Sequence, residues 1–263
     1  MILRHAHGRK PRLSGLRHRH GRDARDTSRL LVHHKTFDRM SAIPPIPDPI
    51  FAPAAVTLAV LAGGEGVRMG MPKGLLSIQG QPILEYLLDR LAFPGPTLLV
   101  TAPGRERPPG WRRFSGEVSD PVSGGGPLRG VLTALEHLAT PLLLVLTVDM
   151  PGIRPTHLQW TLHEITRRPE TLGLMTRRNM DGEPRVEPFP SVFRAQARAT
   201  IASRLSQNRR SVHGLLDEPG FEAVRAPAEW DEKAWVNLNS PADVRKAAAG
   251  SWPIARPRSP ADR

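Results

Sequence analysis

The segment VTLAVLAGG, residues 56–64, is short, apolar and β-branched, and it ends in two glycines. Two more runs of the same character follow, TLLVTA at 97–102 and PLLLVLTVD at 141–149. Unbroken apolar runs of this length suit strands buried on both faces, as parallel sheets require, rather than the alternation of a sheet with one wet face. Between the runs lie segments with helical spacing. PILEYLLDRLAF puts Ile83, Leu84, Leu87, Leu88 and Leu91 on one face, with Pro82 at the first turn. PLRGVLTALEHLA predicts a second helix over 127–139, and PTHLQWTLHEITRR a third over 155–168. Strand, helix and strand in succession predict a doubly wound α/β sheet whose ligands gather beyond the C-terminal ends of its strands.

The remainder is less regular. TLGLMTRR reads as a strand, MDGEPRVEPFPSVFR as a turn and an extended segment, and AQARATIASRLSQN as a helix. VNLN (236–239) reads as a strand running into a capped helix, with Ser240 as N-cap, Pro241 at N1 and Asp243 at N3.

Composition sets the boundaries. Of the formal charge of +12 over 263 residues, +8 falls in residues 1–39, which hold 11 Lys/Arg against Asp23, Asp26 and Asp38. Residues 1–55 are expected to be a basic, His/Arg- and Pro-rich tail, disordered or upstream of a true start near Met40. Residues 56–248 form the folded domain, and 249–263 a Pro/Arg-rich tail. The pairs His5/His7, His18/His20 and His33/His34 read as solvated rather than as a metal site. The tail offers Phe37 but no stacking platform, so nucleic acid is not the expected partner. Zero cysteine excludes a disulfide framework, a Cys-ligated metal and a thiol nucleophile. No apolar run approaches the ~20 residues of a membrane span, and residues 1–30 lack a secretory apolar core, so a soluble, cytoplasmic protein is expected.

Four segments carry chemistry. In LAVLAGGEGVRMGMPKG, Gly63, Gly64, Gly66 and Gly70 follow the first strand and let backbone N–H groups approach a phosphate, while Arg68 and Lys73 supply charge. The pattern is neither a Walker A loop nor GxGxxG, and taken alone it reads equally as a glycine-rich turn. VLTVDMP places Asp149 just past an apolar strand, as a Mg²⁺ ligand or as an N-cap. SDPVSGGGPLRG sets Asp120 before three glycines and a helix start, as a phosphate or base contact or as a hinge. WVNLNSPADV carries Asn237 and Asn239, for which helix capping is a sufficient explanation. Together they supply phosphate clamps and one or two carboxylates without a Ser/His/Asp set, an inventory suited to nucleotidyl transfer.

Leu61 to Gly64, Arg68-Met69-Gly70 and Lys73, then Gly126 to Gly130, Asp149-Met150-Pro151 and Asn237 to Asp243 stand in the order of the LAGG-xxx-RMG-xx-K, GPLAG, DMP and N-x-N-[TS]-P-x-D motifs. Over residues 56–248 the sequence resembles the molybdenum cofactor guanylyltransferase (MobA-like) family. The resemblance implies a Rossmann-like nucleotidyltransferase fold, a mostly parallel sheet with helices on both faces. It implies GMP transfer from GTP to a molybdopterin cofactor with Mg²⁺, releasing pyrophosphate, and cofactor-accepting molybdoenzymes as further partners. By position, Leu61, Ala62, Gly63 and Gly64 would hold the nucleotide through backbone groups, and Lys73 and Arg68 its phosphates. Asp120 would contact the nucleotide, and Asp149 would bind both nucleotide and Mg²⁺. Two departures stand out. Pro103 lies where the family often has a nucleotide-binding asparagine, and Arg129 replaces a small residue inside GPLAG, a change that can alter base or cofactor recognition.

The competing readings are a cytidylyltransferase acting on the same cofactor, another small-substrate nucleotidyltransferase, a nucleic-acid-binding module resting on the basic tail, and an inactive cofactor chaperone. GPLRG and DMP favour GTP over CTP, and the intact Lys73 and Asp149 oppose the inactive reading.

Overall fold

A computed structural model of the chain describes residues 52–249 apart from 65, 67–69, 181 and 231. The expectations for both tails fall outside the described residues except at their inner edges, and that for Arg68 falls wholly outside them. The elements follow one another as β1 (Val56–Leu61), β2 (Ser77–Ile78), β3 (Gln81–Pro82), α1 (Ile83–Leu91), β4 (Thr97–Thr101), β5 (Gly116–Ser119) and α2 (Gly126–Glu136). Then come β6 (Leu142–Thr147), α3 (Pro155–Thr166), β7 (Gly173–Met180), β8 (Glu183–Arg194), α4 (Ala197–Ser206), β9 (Phe221–Arg225) and α5 (Pro241–Ala249).

The three apolar runs become the middle of a seven-stranded sheet ordered β5-β4-β1-β6-β8-β7-β9. All six residues of β1 are buried, which is why the run carries no polar alternation. β4, β1 and β6 pair in parallel and β5 extends them; β8 alone runs against its neighbours, and β9 lies parallel to β7. The sheet is thus mostly parallel and flanked by helices, as the sequence predicts. The chain leaves β1 toward β4 and β5, then returns to place β6 on the other side of β1. That reversal makes the β1/β6 boundary the switch point where a doubly wound sheet opens a crevice.

The apolar face of α1 buries Ile83, Leu84, Leu87 and Leu91. Arg90 on the same helix is buried and donates from Nε to the Ile153 carbonyl at 2.9 Å, tying α1 to the segment before α3. α2 packs over β1, β4, β5 and β6. At Gly130 a Cβ would lie 3.2 Å from Leu61 Cδ2, so a glycine lets this helix settle closely on β1. Among the described residues no helix is long and apolar enough to cross a membrane.

Three details depart from expectation. Pro82 closes the β2–β3 hairpin and stands at the N-cap of α1, not in its first turn. β5 and β9 lie outside the predicted elements; GEVS and FEAVR are short, mixed in polarity and placed at the two sheet edges, where neither period-2 nor continuous apolarity is needed. VNLN is no strand: it finds no ladder partner, and Leu238 N–H donates instead to the Asp149 carbonyl at 2.9 Å. The cap that follows is as expected. Ser240 N–H donates to Asp243 Oδ2 at 2.8 Å, and Asp243 N–H to Ser240 Oγ at 3.3 Å, a reciprocal box at the start of α5.

Candidate active site

A cleft of about 400 Å³ opens where β1, β4, β5 and β6 end, within the usual size range for small-ligand sites. Its lining includes Leu61, Gly63, Gly64, Lys73, Asp120 and Asp149. The parallel strands bring these residues together, because every C-terminal strand end delivers its loop to the same edge.

The first wall is the loop after β1. Ala62 N–H continues the ladder to the Val100 carbonyl at 2.8 Å, and the backbone then swings past β4 so closely that a Cβ on Gly63 would stand 3.2 Å from Ala102 N. Gly66 has φ +58°, and a Cβ there would lie 2.0 Å from the Met71 carbonyl oxygen. The loop therefore folds back on itself at a position only glycine tolerates. That return leads into a 3-10 turn, Lys73–Leu75, which aims Lys73 into the cleft.

Lys73 Nζ is shared between two acceptors. It forms an ion pair with the Asp149 carboxylate and donates to Asn239 Oδ1 at 2.8 Å. Asp149 is 7% exposed, held just beyond β6 by Val148 N–H donating to the Leu61 carbonyl at 3.0 Å. The return of residues 236–239 over this point is fixed at Gly152, where a Cβ would come within 1.7 Å of the Lys233 carbonyl oxygen.

Asp120 stands beyond β5, its N–H bonded to the Thr101 carbonyl at 2.9 Å. Thr133 Oγ1 donates to Asp120 Oδ1 at 2.6 Å. Burial pushes the Asp120 carboxyl above the usual carboxylate range, against the pull of the Thr133 hydrogen bond and of the nearby Arg129 charge. Arg129 itself runs along α2, donating from Nε to Thr133 Oγ1 at 3.3 Å and from Nη2 to Glu136 Oε2 at 2.5 Å. It braces Asp120 from behind and does not line the cleft, so direct contact with a base or cofactor is not its position. Gly124 to Pro127 set the N-terminus of α2 on the cleft wall, where its free N–H groups and partial positive charge favour an anion.

Of the expected binding residues, Leu61, Gly63, Gly64, Lys73, Asp120 and Asp149 meet in this cleft. Ala62 instead faces a small recess behind the loop with Gly74 and Pro108, and Pro103 is not part of the cleft lining. Asn237 is used locally, its Nδ2 reaching the Trp235 carbonyl at 3.5 Å. The sequence marks Asn239 twice, at the helix cap and within the N-x-N-[TS]-P-x-D motif, without assigning it a contact; the structure supplies one, to Lys73. Nothing in the sequence marks Thr133.

Among the described residues no group of three or more His, Cys, Asp or Glu side chains forms a metal cage. One buried carboxylate beside this cleft still matches what Mg²⁺ accepts, because this ion keeps several waters and takes one or two carboxylates plus phosphate oxygens. The donor set therefore fits a cation that arrives with a nucleotide.

The family model described as a MobA-like NTP transferase domain matches residues 58–220. A molybdenum cofactor guanylyltransferase of Vibrio cholerae is 28% identical over 206 residues, covering 76% of this chain and 95% of that protein. One of Pseudomonas fluorescens is 30% identical over 193 residues, covering 72% and 92%. Among solved structures, the molybdopterin-guanine dinucleotide biosynthesis protein A of Archaeoglobus fulgidus superposes with a TM-score of 0.60 at 22% identity, covering 73% of this chain and 96% of that one. The 2-C-methyl-D-erythritol 4-phosphate cytidylyltransferase of Thermus thermophilus gives 0.55 at 20% identity, covering 74% and 97%, a likeness of fold alone.

Proposed function

The chain belongs to the MobA-like NTP transferase family, and from that premise we propose that it transfers GMP from GTP to a molybdenum–molybdopterin cofactor, giving the guanine dinucleotide cofactor and pyrophosphate. The observation that carries this reading is the meeting of Lys73, Asp149 and Asn239 in one contact, in the same cleft as Asp120 and the glycine-rich loop.

The chemistry asks for little beyond placement and charge. The terminal phosphate of the acceptor attacks the α-phosphorus of GTP, a new P–O bond forms, the α–β bridge breaks, and pyrophosphate leaves. The attacking phosphate is already ionised at neutral pH, so no general base is required. Catalysis of this kind rests on holding the reacting groups in line and balancing charge on the phosphoryl oxygens. Backbone N–H groups of the loop after β1 and of the α2 N-terminus cradle the phosphates, and the Lys73 ammonium balances their charge. Asn239 steadies Lys73, and Thr133 steadies Asp120 against the nucleoside. Mg²⁺, held by Asp149 together with the nucleotide phosphates, would supply further neutralisation of the pyrophosphate leaving group.

The test is pyrophosphate release by the full chain with Mg²⁺ and molybdopterin cofactor, GTP against CTP. GTP-selective release supports the reading. CTP selectivity replaces the guanylyl donor while keeping the family and the cleft, and silence with both nucleotides from folded protein overturns the acceptor.

A further inference from the structure

A second recess of about 310 Å³ lies at the ends of β7 and β9, apart from the nucleotide cleft. Arg178, Asn179, Arg225, Pro227, Trp230 and Trp235 form most of its lining, which includes no carboxylate among the described residues. Such a wall selects a flat ring and a negative charge. Indole faces stack planar heterocycles, guanidinium groups pair with phosphate, and a carboxamide reads the donor and acceptor edge of a ring.

The platform is rigid. Trp230 is gripped by His157 at 4.4 Å, Trp160 at 4.9 Å and Trp235 at 5.4 Å between ring centroids. Arg178 stands over the Trp235 ring at 5.5 Å while its Nε donates to Glu187 Oε1 at 2.7 Å, so its direction is set. Arg225 is exposed, and its guanidinium engages no described residue in a hydrogen bond or ion pair. Trp235, 6% exposed, forms a small core with Ala226 and Ala234, and the half-buried Trp230 packed on that core is the indole that lines the recess beside the uncommitted Arg225.

Its place relative to the cleft is set by topology. β7 runs in the same direction as β6, so both recesses open at one edge of the sheet. β8 and β7 separate β6 from β9, which puts the recess about 10–15 Å along the edge from Asp149 at the usual strand spacing. The same stretch of chain, residues 226–239, walls the recess with Trp230 and Trp235 and then delivers Asn239 to Lys73.

Resting on the reading of the chain as a molybdopterin guanylyltransferase, we propose that this recess binds the acceptor. Trp230, backed by Trp235, stacks its pterin, Arg225 and Arg178 hold its anionic substituents, and its phosphate arm is thereby directed toward Lys73. These residues determine acceptor specificity and leave the nucleotide untouched.

The experiment is equilibrium titration of the full chain with a 6-substituted pterin phosphate, followed by tryptophan fluorescence, with and without saturating GTP. Wild type, Arg225→Glu, Arg225→Lys and Trp230→Leu are compared, with GTP affinity measured separately in each. Arg225 is exposed, so its variants keep the fold even if Trp230→Leu does not. The expected result is binding that GTP does not displace, weakened at least about 10-fold by Arg225→Glu and restored by Arg225→Lys, with GTP affinity unchanged. No binding by wild type, binding displaced by GTP, or binding indifferent to Arg225→Glu overturns the proposal. Pterin phosphate bound at this recess, with no pyrophosphate released from GTP when the molybdopterin cofactor is supplied with Mg²⁺, would leave the recess standing and sink the transfer reaction instead.

Discussion

Lys73 Nζ donates to Asn239 Oδ1 at 2.8 Å across 166 positions of sequence, so the last loop of the domain completes a contact begun by the first. Both ends are needed to fix the ammonium. Lys73 has one acceptor on β6's loop and one on the segment leading into α5, and a long flexible side chain with two fixed partners loses most of its rotamer freedom before any ligand arrives.

Removal of Asn239 therefore frees Lys73 without removing its charge. Asn239→Ala is expected to lower kcat/KM for GTP about 10-fold, the value of one hydrogen bond to a charged group. Steady-state pyrophosphate release measures it. An unchanged kcat/KM would mean that Asp149 alone positions the lysine.

Asp149→Asn keeps the size and the backbone bond to Leu238 but removes the charge. Mg²⁺-dependent turnover is expected to fall at least about 100-fold while far-UV circular dichroism and the unfolding midpoint stay near wild type. Lys73→Ala should weaken both GTP binding and turnover by a similar factor. Retained activity in Asp149→Asn would remove its role toward the metal.

The Asp120 carboxyl sits above its ordinary range because burial penalises its charge. A carboxyl whose folded pKa is raised contributes stability that is complete below its unfolded pKa and lost as pH climbs through the folded one. At neutral pH Asp120 is thus a cost to the fold, and Asp120→Asn is expected to raise the melting temperature while weakening nucleotide binding. Thr133→Val removes the bond that draws the carboxyl downward. Its nucleotide affinity should fall away at a higher pH than in wild type as the solution is acidified. Calorimetric melts and nucleotide titrations between pH 4 and 8, on the order of the carboxylate range and above it, provide both readouts.

Gly152 is the place where the segment bearing Asn239 is fastened to the loop bearing Asp149. A methyl group there would meet the Lys233 carbonyl oxygen, and the collision is with backbone on both sides. Gly152→Ala should cost about 1–3 kcal/mol of stability, as overpacking does, and should lower kcat along with it. By contrast, an added Cβ at Gly124 finds open space, and the strain there comes only from its φ of +72°. Chemical denaturation of the two variants separates the effects.

The sequence made legible what depends on local pattern. β1, β4 and β6 are strands buried on both faces, so their apolarity is unbroken, and the helices between them show their faces through 3.6-residue spacing. Edge strands lack that pressure, which is why Gly116–Ser119 and Phe221–Arg225 were invisible. Residues 236–239 depart from their pattern for the opposite reason. They alternate like a strand, yet the partner of Leu238 N–H is a single carbonyl on the loop after β6 rather than a ladder. In the site, Lys73, Asp120 and Asp149 stood out because charge follows strand ends. Thr133, the contact of Asn239 with Lys73 and the true direction of Arg129 did not, because their importance lies in where distant segments come back, and no short-range pattern encodes a return.

The reversed strand β8 has one more effect. A parallel neighbour for β6 at that place would need a long crossover, usually a helix, whereas an antiparallel strand needs only the tight turn at Gly182 after β7. The chain thus needs no crossover helix packed on the sheet at this place. What stands at that edge is the hairpin itself, whose last rungs, from Arg178 with Arg185 to Met180 with Glu183, run on past the rungs shared with either neighbouring strand.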